Sequence, residues 1–195
     1  MSMGEPTVVE HARDLLGRTF HGHGVAVIIT EVEAYGGIDD PASHAFTRTP
    51  RSAIMYGEPW HLYVYRSMGI HVCANVVTGP REQASAVLIR AGRVVEGIEV
   101  ARARRGPLVK DTNLARGPGN LARSLGISLA DLGMDLRDAE GIHLGARVVE
   151  DYEIAAGPRV GVSKAADVPW RFWIEGDPTV SAYRRSPRAA TPAEN

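Results

Sequence analysis

Residues 25–35 read Val-Ala-Val-Ile-Ile-Thr-Glu-Val-Glu-Ala-Tyr, an apolar run that becomes acidic at its end. Side chains alternate faces along a β-strand, so Glu31, Glu33 and Tyr35 are predicted to share one face with Val27. The apolar start predicts a buried strand whose two carboxylates lie where it leaves the core. Two partly desolvated carboxylates roughly 7 Å apart favour protonation of one of them, as a general base near neutral pH requires. Two ordinary acids at a solvated strand end would give the same sequence.

Further strands and helices are predicted on both sides of this stretch. The strand over residues 25–34 forms a hairpin with residues 19–20, and residues 62–77 form a second hairpin that turns at Gly69, where a positive φ is needed. Further strands are expected at residues 85–91, 143–149, 153–155 and 171–174, and helices at residues 8–16, 93–105 and 120–125. Hairpin-linked strands with helices set apart from them indicate an antiparallel α+β domain.

The composition is that of one globular domain. Of the 195 residues, 44% are hydrophobic and 23% are charged. The chain is therefore long enough and apolar enough to bury one sizeable core. We expect a single domain over residues 1–185 and a disordered tail over residues 186–195, which are polar and contain proline. No apolar run is long enough to cross a membrane, and the first six residues lack signal-peptide features. The single cysteine, Cys73, allows no internal disulfide and is expected to be a buried small hydrophobe, so an intracellular, cytoplasmic and reducing setting is predicted.

Charge is unevenly distributed although the net charge is only −1. Residues 80–125 carry nine Arg or Lys and four acids, whereas residues 131–155 carry seven acids and two arginines. The basic middle is compatible with a surface that faces phosphates. A solvated helix with internal charge pairs would look the same.

The chain lacks the common metal and nucleotide motifs. There is no His-Glu-x-x-His, no paired Cys-x-x-Cys, no phosphate-binding Gly-x-x-x-x-Gly-Lys and no Gly-x-Gly-x-x-Gly. His21 and His23 lie in a glycine-rich turn and are more often incidental than ligating. We therefore expect neither a metal nor a cofactor.

One constellation of polar and aromatic residues stands out. A carboxylate base, aromatic faces, a histidine and an amide suit a pocket for a flat, polar ligand; the residues are Glu31, Glu33, Tyr35, His44, Tyr63, Tyr65 and Asn75. Tyr63 and Tyr65 are equally compatible with ordinary cross-strand packing. Met68, at the predicted hairpin tip, is either one exposed hydrophobe or a wedge that enters a base stack.

An ordered set of short motifs resembles the alkyladenine (3-methyladenine) DNA glycosylase family. No single motif is specific for this family, but the order and spacing of the motifs over residues 8–183 are specific for it. The motifs are Thr-Glu-Val-Glu-Ala-Tyr (30–35), Asp-Asp-Pro-Ala-Ser-His (39–44), Thr-Pro-Arg (49–51), Leu-Tyr-Val-Tyr (62–65), Asn75, Leu-Ile-Arg-Ala (88–91), Gly-Pro (117–118) with Leu121, Pro-Arg-Val-Gly-Val (158–162) and Pro-Trp-Arg-Phe (169–172).

The resemblance implies a monofunctional glycosylase that flips a damaged purine out of duplex DNA and hydrolyses its N-glycosidic bond. It implies a mixed domain around a curved antiparallel sheet, with a protruding hairpin that contacts DNA. Double-stranded DNA carrying 3-methyladenine, 7-methylguanine, hypoxanthine or ethenoadenine would be the partner. We expect a monomer that binds no membrane, and the sequence points to no particular protein partner.

The resemblance also implies roles for individual residues. Glu33 would be the general base that activates water, and Tyr35 would stack on one face of the flipped base. His44 and Tyr65 would close on the other face, and Asn75 would disfavour guanine at the base edge.

Two more residues would contact the DNA. Arg90 would touch the backbone near the flipped nucleotide, and Met68 stands where many members carry a tyrosine that fills the vacated space. Asn120 departs from the basic residue expected at its position. A glycosidase acting on free sugars with Glu31 and Glu33 as its acid pair, and a nucleic-acid-binding module without catalysis, are the competing hypotheses.

Overall fold

A computed structural model describes residues 6–191, and it confirms the α+β prediction. Within these residues, three α-helices pack against eight strands: α1 (Val8–Leu15), β1 (Arg18–Gly22), β2 (Val25–Tyr35), β3 (Leu62–Ser67), β4 (His71–Val77), β5 (Ala86–Glu96), α2 (Ile98–Arg105), α3 (Pro118–Leu125), β6 (His143–Arg147), β7 (Ile154–Gly157) and β8 (Arg171–Ile174). The strands form one open antiparallel sheet in the order β3-β4-β5-β2-β1-β6, and β8 pairs with both β2 and β7. No helix in this part of the chain is long and apolar enough to cross a membrane.

Strand β2 is the centre of the sheet. It pairs with β5 along one edge, and its other edge pairs first with β1 and then, at residues 31–33, with β8. Because both edges are covered, every residue of β2 except Tyr35 is buried. The expectation that Glu31 and Glu33 lie partly solvated at a strand end is therefore wrong, since both are 0% exposed. Two irregularities in the pairing with β5, on either side of Glu31, also interrupt the regular alternation of faces.

The helices cover the core beside this strand. α1 begins with a capping box, in which the side chain of Thr7 accepts from the amide of Glu10 and Glu10 accepts from the amide of Thr7. Its apolar side buries Ala12 and Leu15 against the core. α3 begins with a proline at its first helical position, two residues before the predicted start, and ends at Gly126 with a φ of 72°.

The helix predicted over residues 93–105 is wrong in its first part. Residues 93–96 continue β5, where Arg93 pairs with Ile28 and Val94 with Val27. Gly97, with a φ of 68°, separates this strand from α2. A Cβ atom at Gly97 would approach the carbonyl oxygen of Gly24 to 2.0 Å, so the close passage against the β1–β2 turn requires glycine. Pairing with the long strand β2 therefore keeps residues 93–96 in β5, although they lie beyond its apolar stretch.

The second predicted hairpin is confirmed as β3–β4, with pairing from Leu62 and Val76 to Ser67 and His71. Its base is buried and its tip is not: Met68 is 85% exposed. Met68 and Gly69 both adopt positive φ angles, of 48° and 72°, as the tight turn requires.

The C-terminal segment is described only as far as residue 191. The amide of Ala189 donates to Ser186, and Arg185 donates to the carbonyl of Ala190. Residues 192–195 of the predicted disordered tail lie outside the described residues. The boundary at residue 185 stays a prediction.

Candidate active site

A cavity of about 200 Å³ opens where β2 ends, between the β3–β4 hairpin and two loops. This volume lies below the roughly 300–1,000 Å³ of pockets that take drug-sized ligands, so it suits one small ring system. Its walls come from several segments that are distant in sequence: Tyr35, Ala42, His44, Met55, Tyr63, Tyr65, Ser67, Asn75, Ala86, Val160, Gly161 and Val162.

Glu33 lies directly behind the cavity wall. Its Oε2 atom accepts a 2.7 Å hydrogen bond from the hydroxyl of Tyr35, and its Oε1 atom accepts one of 2.7 Å from the amide of Val160. An Nη1 atom of Arg90 lies 3.4 Å from the same Oε1. A carboxylate offers about four acceptor positions, so these three contacts leave room for one more donor, such as water. Both hydrogen-bonding neighbours, Tyr35 and Val160, line the cavity.

Three aromatic rings form one side of the cavity. The imidazole of His44 meets the ring of Tyr65 edge-on at a centroid distance of 4.6 Å, and Tyr65 lies 5.5 Å from Tyr63. The Nδ1 atom of His44 and the hydroxyl of Tyr63 share a 2.9 Å hydrogen bond. The rings therefore hold one another in place around a space that suits a flat ligand.

Desolvation sets the protonation of His44 and Tyr35, which both line the cavity. His44 is an exposed residue at the open side of the cavity. Partial desolvation of its ring by the neighbouring walls, with the charge of Arg51 as the second cause, lowers the pKa of His44 to about 4. The imidazole is therefore neutral at neutral pH. Burial, reinforced by the charge of Glu33, raises the pKa of Tyr35 well above its usual value. Tyr35 consequently stays a phenol and donates its proton in the hydrogen bond to Glu33.

Asn75 completes the polar lining. It is 4% exposed, and its Nδ2 atom donates a 3.0 Å hydrogen bond to the carbonyl oxygen of Tyr63 across the hairpin. This bond fixes the orientation of the amide. A fixed amide at a cavity wall can read the edge of a ligand.

A buried ion pair that the sequence did not predict anchors two of the cavity walls. Arg159 is 1% exposed and donates to both carboxylate oxygens of Asp40, at 2.6 and 3.0 Å. Its guanidinium also donates to the carbonyl of Ala34 and lies 4.8 Å from the ring centroid of Tyr35. Asp40 accepts from the amide of Ala42 as well. The pair thereby joins the loop after β2 to the segment that presents Val160.

Glu31 has a different environment from Glu33. Its carboxylate accepts from Arg90 Nε at 3.1 Å and Arg171 Nε at 2.6 Å, and from both the amide and the hydroxyl of Ser181. It does not line the cavity. The glycosidase hypothesis requires Glu31 and Glu33 to face one substrate, and this geometry disfavours it.

The structure brings together most of the predicted site residues. Tyr35, His44, Tyr65 and Asn75 line one cavity with Glu33 behind it. Met68 lies outside, one residue after Ser67, which does line the cavity. The side chain of Arg90 is buried among Glu31, Glu33 and Ser181, so its contact with a DNA backbone stays a prediction.

Several lining residues lack a recognisable signal of their own in the sequence. Residues 160–162 belong to the Pro-Arg-Val-Gly-Val motif, but being apolar they suggested no role, although they line the cavity and the amide of Val160 donates to Glu33. Within residues 6–191, no three His, Cys, Asp or Glu side chains group as a metal site. Cys73 is buried, as predicted, and burial raises the pKa of its thiol.

Comparison with known proteins agrees with this geometry. The methylpurine-DNA glycosylase family matches residues 2–178. A protein of Mycolicibacterium paratuberculosis, provisionally named as a 3-methyladenine DNA glycosylase, is 53% identical over 190 residues that cover 94% of this chain and 92% of the relative. Relatives with the same provisional name from Mycobacterium leprae and Mycobacterium tuberculosis are each 51% identical, over 96% and 93% of this chain and 89% and 92% of their own lengths. The chain belongs to the methylpurine-DNA glycosylase family.

Proposed function

We propose that the protein is a monofunctional DNA glycosylase that flips a damaged purine out of duplex DNA and hydrolyses its N-glycosidic bond, leaving an abasic site for base excision repair. The observation that carries this proposal is the buried carboxylate of Glu33 behind an aromatic cavity sized for one base. Membership of the methylpurine-DNA glycosylase family supports it.

The chemical step needs a general base that takes a proton from water and a negative charge that stabilises the positive charge developing on the sugar. The glycosidic bond breaks with its electron pair leaving on the purine, a water oxygen bonds to C1′, and the water proton passes to the carboxylate of Glu33. Positive charge develops on the sugar in the transition state, and the negative charge of Glu33 stabilises it. The hydrogen bonds from Tyr35 and Val160 hold the carboxylate in one orientation while it does so.

The cavity supplies recognition of the flipped base. Tyr35 covers one face, and His44 and Tyr65 cover the other, and stacking contributes about 1–3 kcal/mol per base. This offsets a flipping cost of a few kcal/mol, which is lower for damaged, weakly paired bases. A neutral His44 adds no repulsion against a cationic alkylated purine. The fixed amide of Asn75 disfavours guanine, whose exocyclic amino group would meet it.

An alkaline-cleavage assay tests the proposed function. Duplexes that each carry one 3-methyladenine, 7-methylguanine, hypoxanthine or ethenoadenine are incubated with the protein, with an undamaged duplex as the control. We expect alkali-dependent strand cleavage at one or more lesions and none in the control, without nicking before alkali. Lesion-duplex affinity should fall steeply with salt, because phosphate contacts release counterions. Intact strands for every lesion would contradict the proposal.

A further inference from the structure

A cluster of four side chains adjoins Glu33, and none of them lines the cavity. It consists of Glu31, Arg90, Arg171 and Ser181, and the three charged side chains are at most 8% exposed. Together with Glu33 the cluster balances two carboxylates against two guanidinium groups. Buried charges are tolerated only when they are paired and hydrogen-bonded in this way.

Arg90 has a defined partner for each of its three guanidinium nitrogens. Nε donates to Glu31 Oε1 at 3.1 Å, Nη2 donates to Ser181 Oγ at 3.2 Å, and Nη1 lies 3.4 Å from Glu33 Oε1. Because the guanidinium is planar, the two bonds to Glu31 and Ser181 fix the direction of Nη1. The position of the charge beside Glu33 therefore depends on residues that do not touch Glu33.

Ser181 connects the remaining members of the cluster. Its hydroxyl donates its one proton to Glu31 Oε1 at 2.9 Å and accepts from Arg90, while its amide donates to Glu31 Oε2 at 2.7 Å. Arg171 donates from Nε to Glu31 at 2.6 Å and from Nη2 to the carbonyl oxygen of Ser181 at 2.7 Å. The segment that carries Ser181 is itself held by a 2.7 Å hydrogen bond between the buried hydroxyls of Thr179 and Thr30.

We propose that Glu31 and Ser181 are positioning residues that hold the guanidinium of Arg90 against Glu33. The carboxylate of Glu33, the general base, then keeps one orientation and stays beside the compensating positive charge of Arg90. This inference rests on the proposed glycosylase function and adds to it two residues outside the cavity. Without the hydroxyl of Ser181, Arg90 loses the acceptor of Nη2, and the direction of Nη1 is no longer fixed. Water activation by Glu33 then suffers, although no atom of Ser181 reaches the substrate.

The test is a pH–rate profile of single-turnover base release by Ser181→Ala on a lesion duplex that the parent cleaves, at saturating enzyme and well below the melting temperature. We expect a rate roughly tenfold lower than the parent, as small misplacements of catalytic groups can cost up to about a hundredfold. The acidic limb of the profile should move to higher pH, because a carboxylate that loses a cationic neighbour binds a proton more readily. Affinity for the lesion duplex should not change. Ser181→Thr, which keeps the hydroxyl, should restore both rate and profile.

A matched control separates positioning from stability. Ser124 is fully buried, and its hydroxyl donates a 2.7 Å hydrogen bond to the carbonyl of Leu114, away from the cluster. Ser124→Ala should lower the melting temperature without changing the rate or the profile. If Ser181→Ala does not fold, Ser181→Cys gives the same test, since it nearly keeps the size of the side chain and replaces the hydroxyl that accepts from Arg90 Nη2 with a weak sulfur acceptor.

The outcomes distinguish the two proposals. A parent protein that releases no base from any lesion contradicts the glycosylase function. A parent that cleaves, with a Ser181→Ala variant that keeps both the parental rate and the parental acidic limb, overturns the positioning role alone. A rate loss without a shift of the acidic limb, or without rescue by Ser181→Thr, also overturns it.

Discussion

Glu31 and Glu33 are two residues apart on one strand, both 0% exposed, and their surroundings differ in one respect. All the donors to Glu31 belong to a closed cluster of Arg90, Arg171 and Ser181. Two donors to Glu33, Tyr35 and Val160, line the cavity. Two equally buried carboxylates thus have different neighbours, and on this difference we base the proposed roles, catalytic for Glu33 and positioning for Glu31. The partners of a buried acid, rather than its burial, decide its role.

The largest effect on stability is expected from removing the charge of Glu31, the carboxylate whose donors all belong to the closed cluster. Glu31→Gln removes the charge that balances Arg90 and Arg171, and a glutamine amide nitrogen cannot accept from Ser181. We expect the free energy of unfolding to fall by about 3–5 kcal/mol, the cost of leaving buried charges unpaired. Urea unfolding followed by circular dichroism measures it. Glu82→Gln, which breaks the exposed pair with Arg48, is the control and should change little; an equally small change in Glu31→Gln would contradict the account.

The wall of the cavity gives the next largest effect. Arg159→Met removes one partner of the buried pair with Asp40. Asp40 keeps its backbone amide donors, so we expect a loss of about 3 kcal/mol, near the lower end for buried pairs. The cavity should also loosen, because Arg159 links the two walls and packs on Tyr35. The control is Arg185→Met in the exposed pair with Asp167. Equal losses in the two variants, again by urea unfolding, would show that the pair does not anchor the fold.

The hairpin tip should affect affinity rather than stability. Met68→Tyr offers a larger, flat surface to the space that a flipped base vacates. Stacking of about 1 kcal/mol should make the variant bind the lesion duplex roughly fivefold more tightly. Fluorescence anisotropy with a labelled duplex measures this. Leu108→Tyr, at an apolar side chain that is 96% exposed outside the hairpin, is the control. An unchanged or weaker affinity for Met68→Tyr would remove Met68 from the wedge role.

The smallest effect concerns His44. The pKa of His44 in the folded protein, about 4, lies below its value in the unfolded chain. At a pH between these two values the imidazole is therefore protonated in the unfolded chain and neutral in the folded protein. Stability from this group is fully present above the unfolded pKa of about 6.5 and is lost as pH falls from there towards 4. The base-release rate should show no inflection from His44 between pH 6 and 8. Titration of the imidazole by NMR checks this, and a midpoint near 6.5 would refute the desolvated environment.

The sequence predicted the parts of the fold that repeat locally. The apolar run in residues 25–35 and the turn residues at 67–69 define β2 and the hairpin, and most aromatic residues of the site follow from the positions of these strands. The extent of β5 was missed because Arg93 and Glu96 are charged, and only pairing with β2 reveals them as a strand.

The sequence could not predict the ion-pair partners behind the cavity. Arg159 is 119 residues from Asp40, and Ser181 is 150 residues from Glu31. No periodicity links residues so far apart, and Arg159 and Ser181 lie in segments where no helix or strand is predicted. Such contacts depend on how β8 and the segments around it return to β2. The family resemblance already favoured Glu33 as the base and named Tyr35, His44, Tyr65 and Asn75, but the separate environments of Glu31 and Glu33 required the structure.

The most direct test of the account is single-turnover release of the base by Glu33→Gln, measured beside its affinity for the same lesion duplex. Glutamine keeps the shape and most hydrogen bonds of Glu33 but cannot take the proton from water. The account predicts near-parental affinity and a rate lower by about 10³-fold, within the range for loss of a general base. A Glu33→Gln variant that releases the base at the parental rate would contradict it.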